Sequence, residues 1–130
     1  MRTLLIEPQR IFIPSLWSTL EQAGLRVEQA IATLDYAEIV RVQPQCVFFD
    51  IDFSDGEPLE LIRVIRMLLP IARIAVYTST QTPAAWQRAC RYAGGNAVFS
   101  KSAEERELIE GVRALVQSGD YMDWRIVQSG

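Results

Sequence analysis

Cys46-Val47-Phe48-Phe49-Asp50-Ile51-Asp52 is the run on which the architecture of this 130-residue chain turns. Four apolar residues followed by a carboxylate predict a buried strand that leaves a core with Asp50 at its tip. A continuous apolar run bounded by polar residues suits a strand covered on both faces, as in parallel sheets. Such sheets hold their chemistry at the carboxyl ends of their strands, so the neighbours of Asp50 become the question.

On the amino-terminal side, Thr3 to Ile6 forms a short apolar strand ending at Glu7-Pro8. Ile13, Leu16, Trp17 and Leu20 are helix-spaced, with Gly24 as the stop and Pro14 confined to a first turn. Leu25 to Ile31 alternates loosely as a second strand, and Thr33 is placed to cap a short helix with Tyr36, Ile39 and Val40 on one face.

On the carboxyl side, Ser54 to Pro58 reads as a turn. It leads into a helix with Leu59, Leu61, Ile62, Ile65, Leu68 and Leu69 on a broad apolar face, ended by Pro70. Arg73 to Ser79 is a fourth strand with two hydroxyls, Thr78 and Ser79, at its end. Thr82-Pro83 predicts a helix start and Gly94-Gly95 its stop, with Trp86, Ala89, Cys90 and Ala93 facing inward. Ala97 to Ser100 is a fifth strand ending at Lys101, and Ser102 to Glu105 reads as a capping box for a last helix with Leu108, Ile109, Val112, Leu115 and Val116 inward. Residues 120–130 read as a polar tail, which leaves one domain over residues 1–119.

Five strands alternating with five helices predict an α/β fold, a doubly wound five-stranded parallel sheet in the flavodoxin-like order 2-1-3-4-5. That order brings Glu7, Asp50, Thr78 and Lys101 to one edge of the sheet. A carboxylate beside a hydroxyl and a lysine suits phosphoryl chemistry. Asp50 can attack phosphorus, Thr78 can donate to a phosphoryl oxygen, and Lys101 can neutralise one. The acids suit a hard cation such as Mg²⁺.

Composition narrows the classes. A net charge of −3, with 13 Lys and Arg scattered along the chain, gives no basic surface for nucleic acid. There is no His, which excludes His-based catalysis and His metal ligands. Cys46 and Cys90 read as buried reduced thiols. The amino terminus meets charge too early for a signal peptide and no apolar run is long enough to span a membrane, so the expectation is a soluble cytoplasmic protein.

The chain resembles the receiver domains of two-component response regulators, the CheY-like family, and is most similar to receivers that precede LuxR-type helix-turn-helix modules. The segments that carry the resemblance are Phe48-Phe49-Asp50, Leu59-Glu60-Leu61-Ile62, Leu69-Pro70, Arg73 to Thr78, Ala93-Gly94-Gly95 and Phe99-Ser100-Lys101-Ser102. It implies Asp50 as phospho-acceptor, Thr78 as the switch hydroxyl, Lys101 as the pocket lysine, and Glu7, Asp50 and Asp52 as the acids nearest a Mg²⁺. A histidine kinase or phosphotransfer protein, a signalling target and a homodimer are the implied partners, and no catalytic residue is implied.

Three departures qualify the resemblance. Receivers usually end the first strand with two acids, the second a direct metal ligand, whereas here Pro8 follows Glu7. Losing even an outer-shell partner typically lowers metal affinity about 10- to 100-fold, so Mg²⁺-assisted phosphorylation is handicapped. Val98 stands where the family carries an aromatic switch residue, and Asp52 adds a carboxylate where the family mainly uses a backbone carbonyl. The expected function is therefore an atypical receiver, or pseudo-receiver, acting through protein contact, with Arg88, Arg91 and Tyr92 as its partner surface.

A phosphorylation-competent regulator using Asp50 is the alternative. A haloacid-dehalogenase-like phosphatase is a remote one: Asp50-Ile51-Asp52 resembles its nucleophile motif, and Asp120 and Asp123 imitate its later acids. In that family the Asp-x-Asp strand comes first, whereas here two strands precede it.

Overall fold

In a computed structural model, which describes residues 1–52, 56–79 and 84–118 and the backbone of 121 and 122, the strands and helices alternate along the chain. They are β1 (Arg2–Ile6), α1 (Ile13–Gln22), β2 (Arg26–Ile31), α2 (Tyr36–Val42), β3 (Cys46–Asp50), α3 (Pro58–Leu68), β4 (Arg73–Thr78), α4 (Ala84–Ala93), β5 (Ala97–Ser100), α5 (Glu105–Ser118) and β6 (Tyr121–Met122). All pairings are parallel, in the order β2-β1-β3-β4-β5-β6. The expected five-stranded order is present. The short β6 extends it, pairing Ala97 with Tyr121 and Val98 with Met122, and so carries the sheet into the stretch read as tail. The tail from residue 123 onward lies outside the described residues, as do Ser54-Asp55, Thr82-Pro83 and Asp120.

Period-two alternation splits the apolar runs between two cores. Leu4, Ile6, Val47, Phe49, Ile74, Val76 and Val98 face α2, α3 and α4, where Ile39, Ile62, Ile65 and Cys90 meet them. Leu5, Cys46, Phe48, Ala75 and Phe99 face α1 and α5, against Leu16, Leu20, Leu108, Val112 and Leu115. Because β3 is buried on both faces at every residue, its apolar run is unbroken.

Three local expectations are corrected. Asp35, not Thr33, caps α2, accepting the Glu38 N–H at 3.2 Å. An N-cap oxygen reaches the amide of the second or third helical residue, and only Asp35 stands at that distance from this helix. Tyr36 and Val40 are exposed and only Ile39 of that helix is buried, since seven residues touch the sheet through one turn. The box opening α5 is formed by Glu104 and Glu107, whose carboxylate accepts the Glu104 N–H at 3.3 Å, while Ser102 instead meets the Ser100 hydroxyl at 2.6 Å. On α4, Gln87 is buried alongside Cys90 and Ala93, one helical turn before Cys90. Trp86 is partly buried against the same core.

Candidate functional site

The strand registry assembles the site. Ile6 lies beside Phe49, Asp50 beside Tyr77, and Thr78 beside Ser100, so the residues that follow β1, β3, β4 and β5 meet at one end of the sheet. Glu7, Asp50 and Thr78 are each 1% exposed. Lys101 follows β5 with its N–H on the Thr78 carbonyl at 2.9 Å, and its side chain turns back over the site.

Lys101 Nζ lies 2.7 Å from Asp50 Oδ2 and 2.9 Å from Asp52 Oδ2, bridging the two carboxylates. The Asp52 N–H donates to Asp50 Oδ1 at 3.0 Å. The Thr78 hydroxyl donates to Asp52 Oδ1 at 2.7 Å, and the Ser79 N–H to Asp52 Oδ2 at 2.9 Å. The Tyr77 ring lies 5.4 Å from the ammonium and packs on Phe48.

These contacts order the charges. Burial pushes Glu7 up to about 8, helped by its hydrogen bond to Asp50 and opposed by the Gln9 N–H, which donates to it at 3.0 Å. Glu7 therefore holds a proton near neutrality. For Asp52, burial acts upward but is outweighed by the hydrogen bonds from Lys101, Thr78 and Ser79, which keep its carboxyl below the usual range. Burial acts downward on Lys101, and the two aspartates more than offset it, so its ammonium is held above its usual value.

A cleft of about 370 Å³ opens over the site between α1 and α5, with Phe12 and Thr19 on one wall, Glu105 and Leu108 on the other, and Asp50 and Lys101 at its floor. Asp50 is thus reachable through this cleft.

Glu7, Asp50, Thr78 and Lys101 stand together as their positions in the sequence lead one to expect. Arg88, Arg91 and Tyr92 are elsewhere, exposed on the outer side of α4. As a Mg²⁺ site, however, the Glu7, Asp50 and Asp52 set does not fit. Pro8 supplies no carboxylate, Glu7 is protonated, and each aspartate already has an oxygen on the Lys101 ammonium. Among the described residues no group of three or more His, Cys, Asp and Glu side chains is placed to hold a metal. What the residue types did not disclose is the part played by Asp52 and by the backbone N–H of Ser79. A backbone donor leaves no mark on a sequence, and only the offset of two between Asp50 and Asp52 hinted that the second acid could reach the end of β4.

The isolated receiver domain of RcsB from Salmonella enterica serovar Typhimurium, solved in the presence of the phosphomimetic BeF₃⁻, superposes with a TM-score of 0.83 at 17% identity, covering 99% of this chain and 97% of that one. The fold is the receiver fold. A LuxR-family two-component response regulator from Aurantimonas sp. matches this receiver fold at TM-score 0.77 and 24% identity, over 94% of this chain and 88% of that one. A CheY-like receiver domain protein from Methanospirillum hungatei matches at 0.70 and 24%, over 89% and 93%. No protein-family model matches the chain, and no curated protein matches it. In this chain the Asp-x-Asp strand is β3, third in sequence and inside the sheet, not the first strand as in the phosphatase reading. Among the described residues no helix is long and apolar enough to cross a membrane.

Proposed function

We propose that this chain is a two-component receiver module of atypical kind, which signals by binding a partner protein and performs no turnover. The observation that carries this reading is the tie within the acid pocket: Lys101 bridges Asp50 and Asp52 while Pro8 stands where a metal-holding acid belongs. An ammonium that holds both carboxylates from within the chain lets the pocket keep its shape through its own ion pairs. The exposed face of α4, with Arg88, Arg91 and Tyr92, is the contact surface of this reading, and the partner is a signalling protein or a second copy of the chain.

Phosphorylation at Asp50 is the second reading, favoured by the Asp50 to Lys101 distance of 2.7 Å and by Thr78 at the adjoining strand end. A histidine kinase or phosphotransfer protein is then the upstream partner. Amide NMR of the unmodified protein with Mg²⁺ and beryllofluoride, a phosphoryl mimic, separates the two. An unchanged spectrum is expected. Shifts spreading from Asp50 to Thr78 and Lys101 at ordinary Mg²⁺ concentrations would make the protein a phosphorylation switch instead.

A further inference from the structure

Three donors from neighbouring strand ends converge on the Asp52 side chain, and one of them, the Lys101 ammonium, is shared with Asp50. Asp52 Oδ1 accepts the Thr78 hydroxyl at 2.7 Å, and its Oδ2 accepts both the Ser79 N–H and the Lys101 ammonium at 2.9 Å. The side chain is only 9% exposed. Its own N–H is tied to Asp50 Oδ1, which fixes residue 52 so that its carboxylate reaches across to the end of β4.

A hydroxyl, a backbone N–H and an ammonium held together are what a phosphoryl group on Asp50 requires. Such a group carries close to two negative charges and three oxygens that each accept strong hydrogen bonds. Asp52 already occupies these positions. We infer that Asp52 is a built-in oxyanion, a carboxylate that takes the donor set a phosphoryl group or other tetrahedral oxyanion at Asp50 would use, so that the chain holds its own switch in the occupied arrangement.

The inference rests on the receiver reading above and names the regulator of that same site. Asp52 and the incoming group compete. A second anion cannot enter beside Asp52, because like charges this close in a buried site repel strongly, and among the described residues the Thr78 hydroxyl, the Ser79 N–H and the Lys101 ammonium already face its carboxylate. Either the Asp52 side chain swings out or the oxyanion stays out. The same contact works against a metal, since Lys101 already engages one oxygen of each aspartate.

Beryllofluoride with Mg²⁺, titrated into four proteins and followed at the amides of Thr78, Ser79 and Lys101, tests it. The proteins are the unmodified chain, P8D, D52A and P8D/D52A. P8D restores an acid at the end of β1 and leaves Asp52 in place; P8D/D52A also clears the donors. The double variant is expected to bind about tenfold or more tightly than P8D. Equal affinity in those two, or no binding by the double variant, overturns the inference. Tight binding by the unmodified protein that tightens again in D52A overturns only the phosphorylation-independent reading. Should D52A not fold, hydrogen exchange on the unmodified protein decides. The Ser79 amide, on an exposed residue, is expected to exchange about tenfold or more slowly than an unstructured amide. Exchange at the unstructured rate would remove the contact on which everything here depends.

Discussion

Glu7 is the residue on which pH acts. Burial and the hydrogen bond to Asp50 raise it from an ordinary 4.5 to about 8, so between these values the folded protein keeps a proton that the unfolded chain has lost. Stability then falls as pH rises through this window, by at most about 1.4 kcal/mol per pH unit, and levels off above it. Asp52, held below its usual range, acts in the opposite sense and only at lower pH; Lys101, held above its usual value, acts only at higher pH. Urea unfolding at pH 5, 6.5 and 8 should show the fall in the unmodified protein and a flatter profile in E7Q, which keeps a donor toward Asp50. A level profile in the unmodified protein would refute it. Burial likewise pushes both Cys46 and Cys90 up to about 12, so neither thiol should react with iodoacetamide until the protein is unfolded. Modification of the folded protein within minutes would show that one of them is accessible. Glu7, Asp50, Thr78 and Lys101 were legible because each ends a strand in the sequence. Asp52 was legible as an acid but not as a ligand of Thr78, since that role depends on a side chain crossing between strands.

Arg66 joins α3 to the loop before β5 more firmly than any apolar contact there suggests. Its guanidinium donates to the carbonyls of Gly94, Leu69 and Pro70 and to Asn96 Oδ1, whose oxygen also accepts the Ile74 N–H. Gly94, at φ +123°, makes the approach possible, because a Cβ there would lie 2.8 Å from Arg66 Cβ and Cγ. R66A leaves several carbonyls without a donor and should lower stability by about 2 kcal/mol or more, with R66K in between because an ammonium cannot reproduce the fork. Thermal unfolding of the three proteins checks the order. Equal loss in both variants would mean that the packed stem, not the fork, matters. Gly94-Gly95 was readable as a helix stop, but its second duty toward Arg66 was not, since the partners are 28 residues apart. Asp35 and Glu107 were missed as capping side chains for a simpler reason: several polar residues stand at the start of each helix, and only the first hydrogen-bonded turn selects among them.

The parallel sheet followed from the apolar runs because such a sheet must bury both faces of its central strands, and its order from the doubly wound arrangement natural to five strand–helix units, whereas the surface through which the molecule meets others is written in charge and exposure. The sheet edges offer little. Over Ala97 and Val98 the β5 edge is paired with Tyr121 and Met122, and the β2 edge carries exposed Arg26 and Glu28, the kind of charged edge that discourages strand addition. Contact then falls to the helices. Outside α4 stand Arg88, Arg91 and a 91% exposed Tyr92, and outside α5 stand Arg106, Glu110 and Arg113, all exposed. Two copies related by a twofold axis can set Arg91 of one against Glu110 of the other, twice over, with Tyr92 as the apolar centre of each contact. Sedimentation velocity should therefore show weak self-association that grows with concentration and fades as salt is raised, since exposed charge pairs are screened beyond about 10 Å at 0.1 M ionic strength. Y92A and R91E should each shift the distribution to monomer, and Y92A should do so without altering the unfolding midpoint. A monomer at every concentration, or a dimer indifferent to both salt and R91E, would reject this face and leave α4 to a different protein.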